Sequence, residues 1–81
     1  MSKRQSKDIK MLILKELNKK DLTFAQLERK INTGFRTIKT NCIELEKFGT
    51  IKITKRENHK ATGRPYFVVS ITKQGRKIIN Y

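Results

Sequence analysis

The hydrophobic pattern of this 81-residue chain changes its period at Gly49, and that change limits the folds open to the chain. Before Gly49, apolar residues recur at steps of three and four, which is the spacing of one face of an α-helix. After Gly49, Ile51 and Ile53 alternate with polar residues, which is typical of a strand with one buried face. This order predicts an α+β fold in which helices come first and a β-hairpin follows.

Three helices are predicted before Gly49. The first covers about residues 6–18, and its buried stripe consists of Ile9, Leu12, Ile13 and Leu17. The second begins after Thr23, because Thr23 and Gln26 have the spacing of a capping box with Leu22 as its hydrophobic staple. Its apolar face consists of Phe24, Leu27 and Ile31. The third covers about residues 35–48, and its stripe consists of Phe35, Ile38, Cys42 and Leu45.

Three further features complete the predicted architecture. Asn32-Thr33-Gly34 breaks the second helix and supplies a turn glycine and a capping hydroxyl for the third. The second strand has an apolar face of Phe67, Val69 and Ile71, and residues 55–65 form the polar hairpin tip. Thr72 is predicted to cap the start of a short last helix. We therefore expect one domain over residues 6–81, preceded by a flexible basic arm of residues 1–5.

The charge of the chain is strongly positive. Twenty Lys and Arg against seven Asp and Glu give a formal net charge of +13, and no acidic residue follows Glu57. Such a surplus predicts a polyanionic partner, with nucleic acid first and an acidic membrane surface second. The longest apolar run, Met11-Leu12-Ile13-Leu14, is far shorter than the roughly 20 residues that span a bilayer. We therefore expect a cytoplasmic, nucleoid-associated protein without a membrane partner.

A short turn joins the second and third predicted helices, which makes them a candidate helix-turn-helix. In that motif the second helix enters the major groove of DNA. Opposite the apolar stripe of the third helix lie Arg36, Thr40 and Lys47, flanked by Thr37, Lys39 and Asn41. Arginine can bond a guanine edge, asparagine an adenine edge, and threonine a phosphate or a thymine methyl. An ordinary solvated face is the alternative, but only Glu44 and Glu46 supply carboxylates there, which favours double-stranded DNA.

The predicted hairpin tip is a second candidate contact. It and its flanks carry Lys55, Arg56, His59, Lys60 and Arg64. A basic loop can follow phosphates, or it can place an arginine in the narrow minor groove of AT-rich DNA. Gly63 and Pro65 restrict how Arg64 is presented, although the tripeptide is also ordinary turn chemistry. Both interpretations stay open at this point.

Two stretches carry a resemblance to a known family. Residues 37–51 end in Leu45-Glu46-Lys47-Phe48-Gly49-Thr50-Ile51, and Gly63-Arg64-Pro65-Tyr66 precedes Ser70-Ile71-Thr72-Lys73-Gln74-Gly75-Arg76. Over about residues 8–80 the chain resembles the winged helix-turn-helix transcriptional regulators, including the MarR-like, PadR-like and ArsR-like groups and small archaeal and viral proteins. The first stretch is similar to their recognition helix. The second is similar to their wing, a two-stranded hairpin, and the helix after it.

The resemblance implies a three-helix core followed by a wing hairpin and a short C-terminal helix. It places a recognition helix in the major groove and a wing on the minor groove, with site positions at Arg36, Thr37, Lys39, Thr40, Asn41 and Arg64. Family members commonly bind near-palindromic sites as homodimers. Without a long dimerisation helix, a homodimer here would have to use Met11, Leu14, Ile78, Ile79 and Tyr81. We expect no ligand-sensing domain and no small-molecule ligand, so repression by operator occupancy is the expected mechanism.

An enzyme is disfavoured by the inventory of side chains. His59 is the only histidine, Cys42 is the only cysteine and fits an inert core position, and the sequence has no phosphate-binding glycine loop. We therefore expect no catalytic residue, no metal and no cofactor.

Three binding functions remain as alternatives to a sequence-specific regulator. An RNA-binding winged helix fits the charge, but Phe24, Phe35 and Phe67 occupy predicted core positions, which leaves Tyr66 and Tyr81 to stack on bases. A non-specific architectural, chromatin-like or replication–segregation DNA-binding protein also fits the charge. A winged helix can finally serve as a protein-interaction module, because a fold alone does not fix a function.

Overall fold

Four helices and three strands make up the part of the chain that the computed structural model describes, residues 6–57 and 63–79. In chain order they are α1 (Ser6–Lys19), β1 (Leu22–Thr23), α2 (Phe24–Ile31), α3 (Phe35–Lys47), β2 (Ile51–Arg56), β3 (Tyr66–Ile71) and α4 (Lys73–Ile79). The predicted α+β order of three helices, a hairpin and a short last helix is confirmed. None of the helices in these two ranges is long and apolar enough to cross a membrane.

The sheet has a third strand that the sequence did not predict. Its order is β1-β3-β2, and both pairings are antiparallel. Leu22, which was predicted only as a staple for α2, pairs with Val69 across β1 and β3 and is buried. A two-residue strand has no alternation for a sequence pattern to detect. The short strand ties the start of α2 to the middle of the hairpin.

Both ends of α2 are closed by local hydrogen bonds. The Thr23 hydroxyl accepts from the Gln26 backbone N–H at 3.1 Å, and the Gln26 side-chain oxygen accepts from the Thr23 N–H at 2.9 Å, which confirms the predicted capping box. The turn to α3 differs from the prediction. Asn32 takes the left-handed conformation, with φ of 58°, while Gly34 is the N-cap of α3 and no side chain in the described part of the chain caps it. Asparagine tolerates this conformation better than most residues, so the turn does not need a glycine for it.

The hydrophobic core is arranged around α1. This helix packs against α2, α3, β3 and α4, so it buries more than the single stripe that its sequence indicated. Leu14, predicted to lie off that stripe, is only 1% exposed and belongs to the core, whereas Leu12 and Met11 are half-buried at its margin. A helix covered on several sides has no single apolar face for a periodicity argument to find.

A network of hydrogen bonds joins α4 to the turn between α3 and β2. The Thr72 N–H donates to the Thr50 carbonyl at 3.0 Å, and the Thr72 hydroxyl donates to the Gly49 carbonyl at 2.6 Å. The same hydroxyl accepts from the Gly75 N–H at 3.2 Å, which confirms Thr72 as the predicted cap. Gly75 is buried at this contact, where α4 comes close to the backbone of Thr50. The base of the hairpin is therefore fixed by α4.

Cys42 is buried in the core, as predicted, and this makes the stability of the fold depend on pH. Burial first, and the nearby Glu46 carboxylate second, raise the pKa of the Cys42 thiol from 9.0 to about 12. Well below pH 9.0 the thiol is protonated in both the folded and the unfolded chain. Between pH 9.0 and about 12 the unfolded chain loses this proton and the folded chain keeps it, so the free energy of unfolding falls as pH rises.

We expect Cys42 to contribute a loss of about 1.4 kcal/mol per pH unit over that window. Urea unfolding of the wild type and of Cys42→Ala from about pH 7 to about pH 10.5 measures this contribution, because the two proteins differ only at this thiol. The stability difference between the two proteins should be constant below pH 9.0 and should then shift against the wild type. Parallel profiles throughout would contradict a thiol that stays protonated in the fold.

Candidate nucleic-acid interface

The side of α3 that faces away from the core carries a stripe of exposed, mostly basic residues. Ile38, Cys42 and Leu45 point into the core. At about 100° per residue, the opposite side is formed by residues at steps of three and four from one another. We call these residues the outer face: Arg36, Lys39, Thr40, Ile43 and Lys47, all of them exposed. Thr37, also predicted to contact DNA, is half-buried beside the outer face.

Asn41 does not lie on the exposed side of α3, where the sequence predicted it. Its side chain is 2% exposed and is turned toward α1. Its amide nitrogen donates to the Thr37 carbonyl at 2.8 Å, and its amide oxygen accepts from the Lys10 ammonium at 2.9 Å. In the sequence Asn41 lies between Thr40, which is on the exposed side of the helix, and Cys42, which is on the buried side. A shift of one residue around the helix is therefore enough to move Asn41 from the exposed side to the buried side. The prediction that Asn41 reads an adenine is wrong for this arrangement, and the residue instead joins α3 to α1.

The two carboxylates of α3 are both engaged by the protein itself. Glu44 accepts from the Lys10 ammonium at 3.4 Å, and the same ammonium bonds Asn41. Glu46 accepts from the Ile53 backbone N–H of β2 at 2.9 Å. Projected at about 100° per residue, the two carboxylates lie at opposite edges of the outer face. Within α3, which is described throughout, the outer face itself therefore carries no acidic residue.

Ile43 is the member of the outer face that was not predicted from the sequence. It lies three residues after Thr40 and four before Lys47, and its side chain is 40% exposed. The same projection that selected Arg36, Thr40 and Lys47 also selects Ile43. An argument from hydrogen-bonding groups predicts only the polar residues opposite the stripe as DNA contacts, and it therefore does not include Ile43.

The wing consists of β2, β3 and the residues between them. Cross-strand partners share a face of the sheet, and the register pairs Lys55 with Phe67 and Arg56 with Tyr66. Lys55 and Arg56 are exposed at the outer end of β2, and Arg64 is exposed just before β3. The turn chemistry predicted around Arg64 includes Gly63, whose φ of 70° is in the left-handed region. Lys60 and His59 lie outside the described residues.

An exposed aromatic cluster lies where α2, the start of α3 and the start of β3 meet. Phe35 and Phe67, both predicted to be core residues, are 48% and 43% exposed. Their ring centroids each lie 5.8 Å from that of buried Phe24, and the Phe35 ring stands at 90° to it. With Pro65 and Tyr66 they border an open cavity of about 260 Å³. Phe35 is the first residue of α3 and Phe67 lies toward the hairpin tip, so both extend the apolar pattern past the edge of the core.

The residues predicted to form a dimer contact have different environments. Leu14 is in the core, which removes it from any surface, because α1 is covered by four other elements. Met11 and Ile79 are partly buried against the core, and Ile78 is exposed on α4. Tyr81 lies outside the described residues. Among residues 6–57 and 63–79, no group of three or more potential metal ligands occurs.

Comparisons with known proteins identify the fold. No family model and no curated protein matches the chain. A PadR family transcription regulator from Clostridium difficile superposes with a TM-score of 0.79 and 18% identity, covering 89% of this chain and 79% of that one. Bacillus subtilis PadR in complex with operator DNA superposes with a TM-score of 0.78 and 16% identity, covering 90% of this chain and 45% of that one. The transcriptional regulator BldR from Sulfolobus solfataricus superposes with a TM-score of 0.77 and 18% identity, covering 89% of this chain and 49% of that one.

These likenesses confirm the predicted fold. The chain has the winged-helix fold of these regulators, in which α2 and α3 form the helix-turn-helix and β2 and β3 the wing. It spans about half the length of BldR and of Bacillus PadR.

Proposed function

We propose that this chain binds double-stranded DNA as a sequence-specific transcriptional regulator. The observation that carries the proposal is the outer face of α3, whose three basic side chains are exposed while both carboxylates of the helix are occupied by Lys10 and by the Ile53 N–H. A major groove accepts a helix of this kind, and a net charge of +13 favours a polyanion. The likeness to a regulator solved in complex with operator DNA supports the same conclusion.

In the proposed complex α3 lies in the major groove and each side chain has a distinct role. Arg36, in the first turn, bonds a guanine edge through its two guanidinium nitrogens. Thr40, one turn later, bonds a phosphate or a base edge. Lys39, Lys47 and Thr37 bond phosphates on either side of the helix, which fixes its register on the duplex without reading sequence.

The wing supplies the second contact in this proposal. Arg64 enters the adjacent minor groove, while Lys55 and Arg56, together with Lys60, bond the phosphates that border it. The minor groove of AT-rich DNA is narrow and electronegative, so an inserted arginine is favoured there.

We expect Arg64→Ala to weaken binding to AT-rich sites more than to GC-rich sites. Lys55→Ala, which removes a proposed phosphate contact from the same wing, should weaken both kinds of site equally. Fluorescence anisotropy titrations of the two variants on matched duplexes measure the difference. Equal losses for Arg64→Ala on both duplexes would contradict a minor-groove role for Arg64.

We propose further that the protein acts as a homodimer that represses by occupying its operator, in the cytoplasm and on nucleoid DNA. Exposed Ile78, with Met11, Ile79 and Tyr81 as further members, is the proposed subunit contact now that Leu14 is assigned to the core. A small core gains stability from a symmetric partner. In this proposal the protein needs no catalytic residue, no cofactor and no small-molecule effector.

The experiment that tests the proposal is a selection from random-sequence duplex DNA at two salt concentrations. An enriched inverted repeat with half-sites about one helical turn apart would support a dimeric sequence-specific regulator. Tight, steeply salt-dependent binding without enrichment would mean a non-specific architectural protein. Weak binding at both salt concentrations would favour a protein-interaction module.

RNA binding is a second candidate function, and the exposed aromatic cluster favours it. The case against RNA depended on Phe35 and Phe67 being buried, and both are exposed, with Phe67 paired to Lys55 of the wing. Unpaired bases stack on exposed aromatic rings at about 1–3 kcal/mol per base. Competition between single-stranded RNA and the duplex, repeated with Phe35→Leu, separates the two functions. Preference for RNA that is lost in the variant would favour this candidate over the regulator.

A further inference from the structure

Ile43 is an apolar residue at the centre of a basic surface, and the fold does not account for it. Among the described residues, the core cluster and the apolar side chains packed against it do not include Ile43. Its neighbours on the outer face are Lys39, Thr40 and Lys47, all exposed. An isoleucine gives a helix less intrinsic stability than a lysine, a glutamate or an alanine would at the same position. Neither packing nor helix propensity therefore explains an isoleucine there.

The chemistry of the major groove offers an apolar partner for this side chain. Base edges in that groove present hydrogen-bond donors and acceptors, and the C5-methyl of thymine is the apolar group among them. Arg36, Thr40 and Lys47 share the outer face with Ile43, so a duplex that contacts them also covers Ile43. A covered isoleucine is favourable only if it meets an apolar group, because polar base edges would lose their water without a bond in return.

We propose that Ile43 contacts a thymine C5-methyl in the major groove and makes the protein prefer a T·A pair at that position. This inference rests on the proposed function and assigns part of its sequence preference to a residue that forms no hydrogen bond with DNA. Burial of one methyl group corresponds to about a fourfold change in affinity. Arg36 would fix one end of the site through a guanine, and Ile43 would select a thymine about two helical turns along α3.

Deoxyuridine tests the contact at the level of single atoms, because it pairs like thymidine but lacks the C5-methyl. Each thymine of the enriched duplex is replaced in turn, and the wild type is compared with Ile43→Ala. The wild type should bind one substituted duplex about fourfold more weakly than the parent. Ile43→Ala should bind parent and substituted duplexes equally. The cycle of two proteins and two duplexes cancels any change in the shape of the DNA itself.

Two further variants serve as controls. Ile43→Val keeps a branched apolar side chain and should retain the difference between thymine and uracil, at least in part. Phe48→Ala removes an exposed apolar side chain at the C-cap of α3, off the outer face, and should retain the difference in full. All three variants should unfold at the temperature of the wild type within a few degrees, because the altered side chains are exposed.

The outcomes separate this inference from the proposed function. If the wild type selects a sequence but binds thymine and uracil duplexes equally, Ile43 has no methyl contact and the proposed function stands. The methyl contact is equally wrong if Ile43→Ala keeps the wild-type difference. If no sequence is enriched, the cycle is run on oligo(dA)·oligo(dT) and oligo(dA)·oligo(dU), and equal binding again overturns the contact. If the wild type binds no duplex DNA, both the inference and the proposed function are wrong.

Discussion

Gly75→Ala is expected to lower the free energy of unfolding by about 3 kcal/mol, the upper part of the range for overpacking a filled site. A Cβ on Gly75 would overlap the carbonyl oxygen of Thr50 and would lie 2.8 Å from Cγ1 of Ile71. A backbone carbonyl cannot turn away as a side chain can, so α4 would have to move off the start of β2. Alanine gains about 1 kcal/mol in helix propensity over glycine, which is too little to offset the overlap.

The matched control for this substitution is Gly34→Ala. Within residues 6–57 and 63–79, a Cβ on Gly34 meets nothing within 4 Å, and the residue has an ordinary φ of −70°. As an N-cap, alanine is poorer than glycine, so a loss of up to about 1 kcal/mol is expected. Chemical denaturation of both variants and the wild type measures the difference. Equal stabilities for Gly75→Ala and Gly34→Ala would mean that α4 is not held against Thr50 as the structure has it.

The effect on binding should follow from the same contact. Thr72 bonds Gly49 and Thr50, so the position of α4 determines where the wing leaves α3. If Gly75→Ala still folds at low temperature, its displaced α4 should weaken wing-dependent binding to AT-rich duplexes more than binding that depends on α3 alone. In the proposed complex, stability and sequence preference would therefore depend on the same turn of the chain.

The sequence predicted those parts of the fold that repeat a pattern over several residues. The change of period at Gly49, the capping box at Thr23 and the cap at Thr72 each placed an element within one or two residues of its observed end. The resemblance to winged helix-turn-helix regulators supplied the arrangement of these elements, which periodicity alone does not fix. The two-residue strand β1 was not predicted because its pairing partner, Val69, is distant in sequence.

Predictions about individual side chains failed where neighbouring elements of the fold determine whether a side chain is buried and what it contacts. Leu14 was predicted as a dimer contact because a single buried stripe was expected for α1, whereas four elements pack against that helix. Asn41 was assigned to DNA because asparagine suits adenine, whereas Lys10 of α1 lies within 2.9 Å of its amide oxygen. Phe35 and Phe67 were assigned to the core because they continue apolar stripes, whereas both stripes extend past the packed elements. In each case the missing information was which element lies opposite the residue.

Arg36→Ala is expected to lower the affinity for the enriched duplex by about 1–3 kcal/mol, roughly a factor of 5 to 150, and to relax the preference at one base pair. The reason is that Arg36 lies on the exposed side of the first turn of α3, which contacts base edges in the proposed complex. A guanidinium forms two bonds to a guanine, and no other base pair offers the same pair of acceptors. Titrations against the enriched duplex and against duplexes altered at each position measure both effects.

Arg76→Ala is the matched control, because it removes the same charge from α4, which packs against α1 and β3 rather than beside the outer face. It should weaken specific and random duplexes alike and only slightly, through the net charge. If Arg36→Ala behaves in the same way, Arg36 bonds a phosphate. Sequence preference would then depend on the remaining base contacts of the outer face and on the shape of the DNA. If Arg36→Ala instead relaxes a single position, the spacing between that position and the thymine proposed for Ile43 gives the order in which α3 reads the major groove.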